Sequence, residues 1–161
     1  MGVVTLKMMV SITGKNIVKN GIIWLLYTTA KPLPPCLFKN IIYRIGGANI
    51  GKRVWISPYA NIDPVAPNQI IIEDDVLIGW GATVLSHEMN QDPAGGPKSR
   101  SYKEDSTILK KGCFIGGFTT IRCGVTIGEG AVVGSDSTVI SDIPSNSLAY
   151  GVPAKTVERG M

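Results

Sequence analysis

Few side chains in this 161-residue chain are equipped for acid–base chemistry, and one stands alone. His87 is the sole histidine, set between Ser86 and Glu88 in the stretch ATVLSHEMNQ. An imidazole, with an unperturbed pKa of about 6.5, can accept a proton near neutral pH, which makes His87 the candidate general base toward a hydroxyl or amine. An isolated histidine is more often a surface residue than a catalyst, so its position must decide. Ser86 invites a nucleophile–base reading. Neighbours on an extended strand point to opposite faces, which argues against a Ser86–His87 dyad and against Glu88 as an orienting carboxylate. The chain has no GxxxxGK[ST], no dinucleotide-type GxGxxG and no HExxH. Cys36, Cys113 and Cys123 are odd in number and lack CxxC spacing. They read as small buried hydrophobes of a reduced protein, with no metal site expected.

The elements that must position His87 are announced by a period of six. From Leu109 the chain runs LKKGCF, IGGFTT, IRCGVT, IGEGAV, VGSDST, VISDIP. Each first position is a large aliphatic (Leu109, Ile115, Ile121, Ile127, Val133, Val139), and each fifth is small or modest in size. Gly116, Gly128 and Gly134 follow aliphatics directly, as tight corners would require. Period six fits neither an amphipathic helix nor an alternating strand. It predicts a parallel β-helix in which three short strands and three corners make one triangular coil, with aliphatics stacked in an inner column. The pattern begins earlier, at Ile50, Ile56 and Ile62, slips by four residues at Pro64–Gln69, and resumes at Ile72, Ile78 and Val84. Residues 88–106 lose it and are rich in Pro, Gly and charge, predicting a long loop leaving a corner beside His87. Its Lys98, Arg100 and Lys103 read as solvated charges, or as a lid selecting the acceptor. Coils 109–126 and 127–144 would bring the total to about four. The expected division is a helical cap, 1–47, and a β-helix domain, 48–157.

Charge is unevenly placed. Residues 1–62 hold eight Lys or Arg and no Asp or Glu, while the chain as a whole carries a net charge of +4. The same third is rich in bulky apolar residues, and predicts helices at about 15–29 and 35–45, broken by Lys-Pro-Leu-Pro-Pro. One reading caps the prism with these helices, their apolar faces buried and lysines solvated. The other is peripheral contact with a membrane or an anionic glycan. No nucleic-acid module, secretory signal or membrane span is expected, and the chain reads as cytoplasmic, working at or near the inner membrane face.

The segment GVTIGEGAVVGSDSTVISDIPSNSLAYGVPAKTV resembles the C-terminal half of the hexapeptide-repeat acyltransferases. It is most similar to the branch containing galactoside, maltose, xenobiotic and polysaccharide O-acetyltransferases, and the similarity covers about residues 48–157. The resemblance implies an all-β fold, a left-handed parallel β-helix of about four coils with a short helical N-terminal segment. It further implies a homotrimer with acetyl-CoA in the groove between prisms. His87 matches the family's catalytic histidine. The implied activity is acetyl transfer to a sugar or polysaccharide-precursor hydroxyl. The alternatives are N-acylation of an amino sugar, a carrier-protein-dependent enzyme, or a non-catalytic scaffold; a β-helical carbonic anhydrase would need more histidines than one. Asn61 aligns with an acceptor-binding asparagine. Asp63 can substitute for a family aspartate, orient His87 from across a subunit boundary, or be a solvated corner carboxylate. Phe114 stands where a tryptophan often flanks the acyl groove. Gly117 and Ser135 match backbone contacts to pantetheine, and Ser141 and Lys155 match positions near the nucleotide end of CoA. Ile140-Ser141 replaces the usual Thr-Lys, and Glu158 a basic residue, shifting the burden to Lys155 and Arg159.

Overall fold

The computed structural model of the chain describes residues 17–35, 37–91 and 100–157. Cys36, Lys98 and Arg159, and the tip of the loop expected at 88–106, lie outside the described residues. Helices α1 (Ile17–Ala30) and α2 (Leu37–Ile45) lead into strands of mostly two or three residues. In order these are β1 (Asn49–Ile50), β2 (Trp55–Ile56), β3 (Asn61–Ile62), β4 (Ile70–Ile72), β5 (Leu77–Ile78) and β6 (Thr83–Val84). Then come β7 (His87–Gln91), β8 (Arg100–Glu104), β9 (Thr107–Leu109), β10 (Phe114–Ile115), β11 (Thr120–Ile121) and β12 (Thr126–Ile127). The last are β13 (Val132–Val133), β14 (Thr138–Val139), β15 (Leu148–Gly151) and β16 (Ala154–Val157).

Every third strand of the coil falls on the same face. Face one is β1-β4-β9-β12, face two β2-β5-β10-β13-β15-β16, and face three β3-β6-β11-β14. Apart from the β15–β16 hairpin, the strands on each face pair in parallel. The period-six aliphatics stand directly above one another: Ile56, Ile78, Ile115 and Val133 on face two, and Ile62, Val84, Ile121 and Val139 on face three. All eight are buried, as are the smaller fifth-position residues such as Cys113, Thr119 and Ala131. A two-residue strand therefore turns its first side chain outward and its second inward, the alternation a pleat imposes.

The four-residue slip appears as a 3-10 turn at Pro67–Gln69 before β4. The column continues past the expected fourth coil, because β15 adds a fifth parallel rung to face two before β16 folds back on it. The aperiodic stretch is also more ordered at its roots than a loop: β7 and β8 pair antiparallel from His87↔Glu104 to Gln91↔Arg100.

The helices cap the first coil. Tyr27, Ala30, Ile42 and Tyr43 share one continuous core with Ala48, Ile50 and the coil aliphatics. Tyr27 and Tyr43 pack edge to face with centroids 4.8 Å apart, and the Tyr27 hydroxyl donates to the Tyr43 carbonyl at 3.0 Å. The lysines are not uniformly solvated, however. Lys39 is fully buried, its Nζ donating to the carbonyls of Leu33 at 3.1 Å and Ser57 at 2.8 Å. Asn40 donates to the Val54 carbonyl at 2.8 Å, and Arg44 to that of Ile50 at 2.8 Å. These groups satisfy carbonyls that the end of a β-helix would otherwise leave exposed or unpaired.

Candidate active site

Both departures from the six-residue period open at the same corner, between faces three and one. The first follows β3 and contains Asp63; the second follows β6 and contains His87. Because Asn61 and Ile62 pair with Thr83 and Val84, Asp63 lies in the coil adjoining Ser86 and His87. Its carboxylate is 3 % exposed and fully engaged. Oδ1 accepts from the Val65 N–H at 3.0 Å; Oδ2 accepts from the Ser86 N–H at 2.9 Å and lies 2.5 Å from His87 Nδ1. Of the three readings open for Asp63, the solvated corner carboxylate is overturned, since burial without these partners would be costly. The contact to His87 is made within one chain and needs no subunit boundary.

Beside an ionised carboxylate, which only accepts, Nδ1 is the donor of this contact, and a neutral ring then carries its lone pair on Nε2. The His87 side chain is a quarter exposed, and the Tyr102 ring of β8 lies beside it with centroids 6.2 Å apart. Ser86 is buried, its hydroxyl accepting from the Ala66 N–H at 3.3 Å, and it makes no dyad with His87. Glu88 is turned away to a bidentate pair with Arg122, closest at 2.7 Å, which clamps the root of the β7–β8 ribbon to the third coil. Sequence reasoning did not single out Arg122; nothing but the ribbon's course brings it to Glu88. Lys103 pairs with Asp105 at 2.9 Å, and Lys110 with Glu73 at 2.9 Å, so these cations are not simply solvated. Burial pushes the Cys113 thiol up to about 12, in keeping with a core filler.

The other expected site residues fall on different parts of the prism. Asn61 is half-buried on the outer side of face three, in register with Thr83, Thr120 and Thr138. Ser141 is exposed at the His87 corner, two coils further on. Phe114 is exposed on face two, between Leu77 and Val132. Gly117 and Ser135 occupy the corner between faces two and three, in successive coils, the Gly117 carbonyl accepting from the Asp136 N–H at 2.9 Å. Lys155 is exposed on β16. Gly117 and Ser135 thus lie along one edge of face three, and His87 along the opposite edge.

Comparison with known proteins agrees with this architecture. Residues 106–141 match the bacterial transferase hexapeptide, six repeats. The Bacillus subtilis protein YvoF is 28 % identical over 143 residues, covering 88 % of this chain and 77 % of its own. Galactoside O-acetyltransferase of Escherichia coli is 28 % identical over 130 residues; the match covers 68 % of this chain and 63 % of that enzyme, less than two thirds of its length. In fold, the chain is like a hexapeptide-repeat acetyltransferase of Vibrio cholerae in complex with acetyl coenzyme A, with a TM-score of 0.73, 22 % identity, and coverage of 87 % of this chain and 86 % of that one. With its six-residue period and three parallel faces, the chain has the fold of the hexapeptide-repeat acetyltransferases, and residues 106–141 carry the repeat of the bacterial hexapeptide transferases.

Proposed function

We propose that the chain is an acetyl-CoA-dependent O-acetyltransferase acting on a hydroxyl of a sugar or polysaccharide precursor, with His87 as general base. One observation carries the reading: the sole histidine is held through Nδ1 by a buried carboxylate, at the corner where the ribbon departs. Nε2 takes the acceptor proton while the hydroxyl oxygen attacks the thioester carbonyl carbon. The carbon–sulfur bond then breaks, and the imidazolium returns its proton to the departing sulfur, releasing CoA as the thiol. Asp63 keeps the tautomer and favours the transient imidazolium, a positioning role. An amine would be acylated by the same steps, so an acceptor screen separates O- from N-transfer.

The coil in this reading is wound left-handed, and the working unit is a homotrimer. Phe114, Gly117, Ser135, Ser141 and Lys155 are the candidate contacts to the acyl donor, and Asn61 to the acceptor. Since Gly117 and Ser135 line the edge of face three opposite His87, a second prism laid alongside would supply the missing wall. A backbone N–H or hydroxyl from that second prism would serve the oxyanion. The exposed aromatics Trp55, Tyr59, Trp80, Phe114 and Phe118, on face two and its adjoining corner, suit such a contact.

Calorimetric titration of CoA and acetyl-CoA tests the reading without knowledge of the acceptor. Both ligands are expected to bind the wild type and His87→Ala alike. Thiol release with a panel of sugars is expected to fall about 10²- to 10⁴-fold in the variant. Absence of CoA binding would remove the CoA-dependent reading.

A further inference from the structure

We propose that the outward face of α1 and α2 docks on an anionic lipid bilayer and holds the prism at a membrane surface. The decisive feature is that α2 buries Lys39 and Asn40 beside Ile42 and Tyr43 while leaving an apolar stripe outside. Its polar Lys39 and Asn40 point inward and are hydrogen-bonded to carbonyls of the cap and first coil. Leu37, Phe38, Ile41 and Ile45 point outward, with Leu37, Phe38 and Ile45 each 64–70 % exposed. Spacings of three and four put these four on one stripe. From the helix packed beside α2, α1 adds Ile22, Trp24 and Leu25, the last 65 % exposed.

Single exposed apolar residues are ordinary, but seven on two helices that pack together are an unusual concentration of apolar surface. Charge selects the occupant. Residues 1–62 contain no carboxylate side chain for an anionic surface to repel. The same residues carry eight Lys or Arg in sequence; of those described, Lys39 and Arg44 bind carbonyls and Arg53 pairs with Asp75. Exposed apolar side chains with a Trp, on a segment whose charged side chains are basic with no carboxylate among them, match a headgroup layer of negative charge. No helix among the described residues is long and apolar enough to cross a membrane, so the contact is peripheral.

Flotation of the full chain with vesicles of phosphatidylcholine alone, or of phosphatidylcholine with phosphatidylglycerol, tests this directly. The chain is expected to float with the phosphatidylglycerol vesicles, and less so as salt is raised. A Leu25→Glu/Phe38→Glu variant is expected to lose partitioning about tenfold or more, with circular dichroism, melting temperature and CoA binding unchanged. The proposal is overturned if wild type floats with neither vesicle, or if the variant floats as well as wild type. It is equally overturned if wild type fails to float and the variant changes the subunit count by light scattering, because a second copy would then cover the patch. CoA calorimetry reads the acyltransferase proposal separately.

Discussion

Asp63 shows how much a single residue's meaning depends on its neighbours in space. Its type and position left three roles open, and 24 residues separate it from His87. Once buried, with both oxygens accepting backbone N–H bonds, the carboxylate is fixed in place and can fix the ring in turn. Replacing it by Asn keeps the size and removes the charge. Asp63→Asn is therefore expected to lower kcat by about tenfold or more while leaving CoA affinity unchanged. Steady-state kinetics beside calorimetry reads that split, whereas a collapse of the corner would weaken both. His87 itself was legible from the sequence because it is the only imidazole and sits where the period breaks. Its partner was not, because a carboxylate at a corner is usually solvated.

Among the elements, the corners separate two uses of glycine that the sequence makes look alike. A Cβ on Gly116 would lie 2.4 Å from the Ser135 nitrogen, in the backbone of the next coil. Its backbone does not need the left-handed region; the constraint is the close stacking of coils. Gly112 is the reverse, with φ of +66° and nothing within 4 Å of an added Cβ. Gly116→Ala must push two coils apart and is expected to cost about 1–3 kcal/mol or more. Gly112→Ala carries only the strain of a left-handed alanine, about 1–2 kcal/mol. Urea unfolding of the two variants would show the larger loss at Gly116 and would refute the stacking account if the order were reversed. The tight-corner expectation for Gly116 and Gly128 was right about location and incomplete about cause. At Gly128, too, the added Cβ meets backbone of the following coil, 2.3 Å from the Ser145 nitrogen.

At the scale of the whole molecule, one core runs from the helical cap to Ala154, so cap and coils share their packing. A column of stacked aliphatics leaves its outer faces to be used, and here they differ in character. Face three presents Asn61, Thr83, Thr120 and Thr138, whereas face two and its corner present large aromatics, with Tyr59 and Trp80 in contact at a centroid distance of 5.1 Å. If the proposed homotrimer forms and a neighbouring prism covers that aromatic surface, Trp80→Asp/Phe118→Glu is expected to yield monomers and to abolish CoA binding with it. Light scattering and calorimetry on the same samples check both consequences. A monomeric variant that still binds CoA would separate the groove from the assembly.

What the sequence by itself determined is whatever repeats. Six-residue spacing specifies which aliphatics turn inward, where the corners lie and at which two places the coil is interrupted, because each coil restates the same local burial requirement. The lone histidine at the second interruption was legible for the same reason. What only the tertiary structure decided lies in the interruptions and at the end of the column. The length of an insertion carries no periodic signal, so the meeting of Asp63 with His87, of Glu88 with Arg122 and of β7 with β8 depends on how adjacent coils stack. The inward turn of Lys39 and Asn40 was likewise hidden, since the open end of a β-helix leaves carbonyls that need donors as well as aliphatics that need cover. Lys39 and Asn40 turned inward to meet that demand and left the apolar stripe outside.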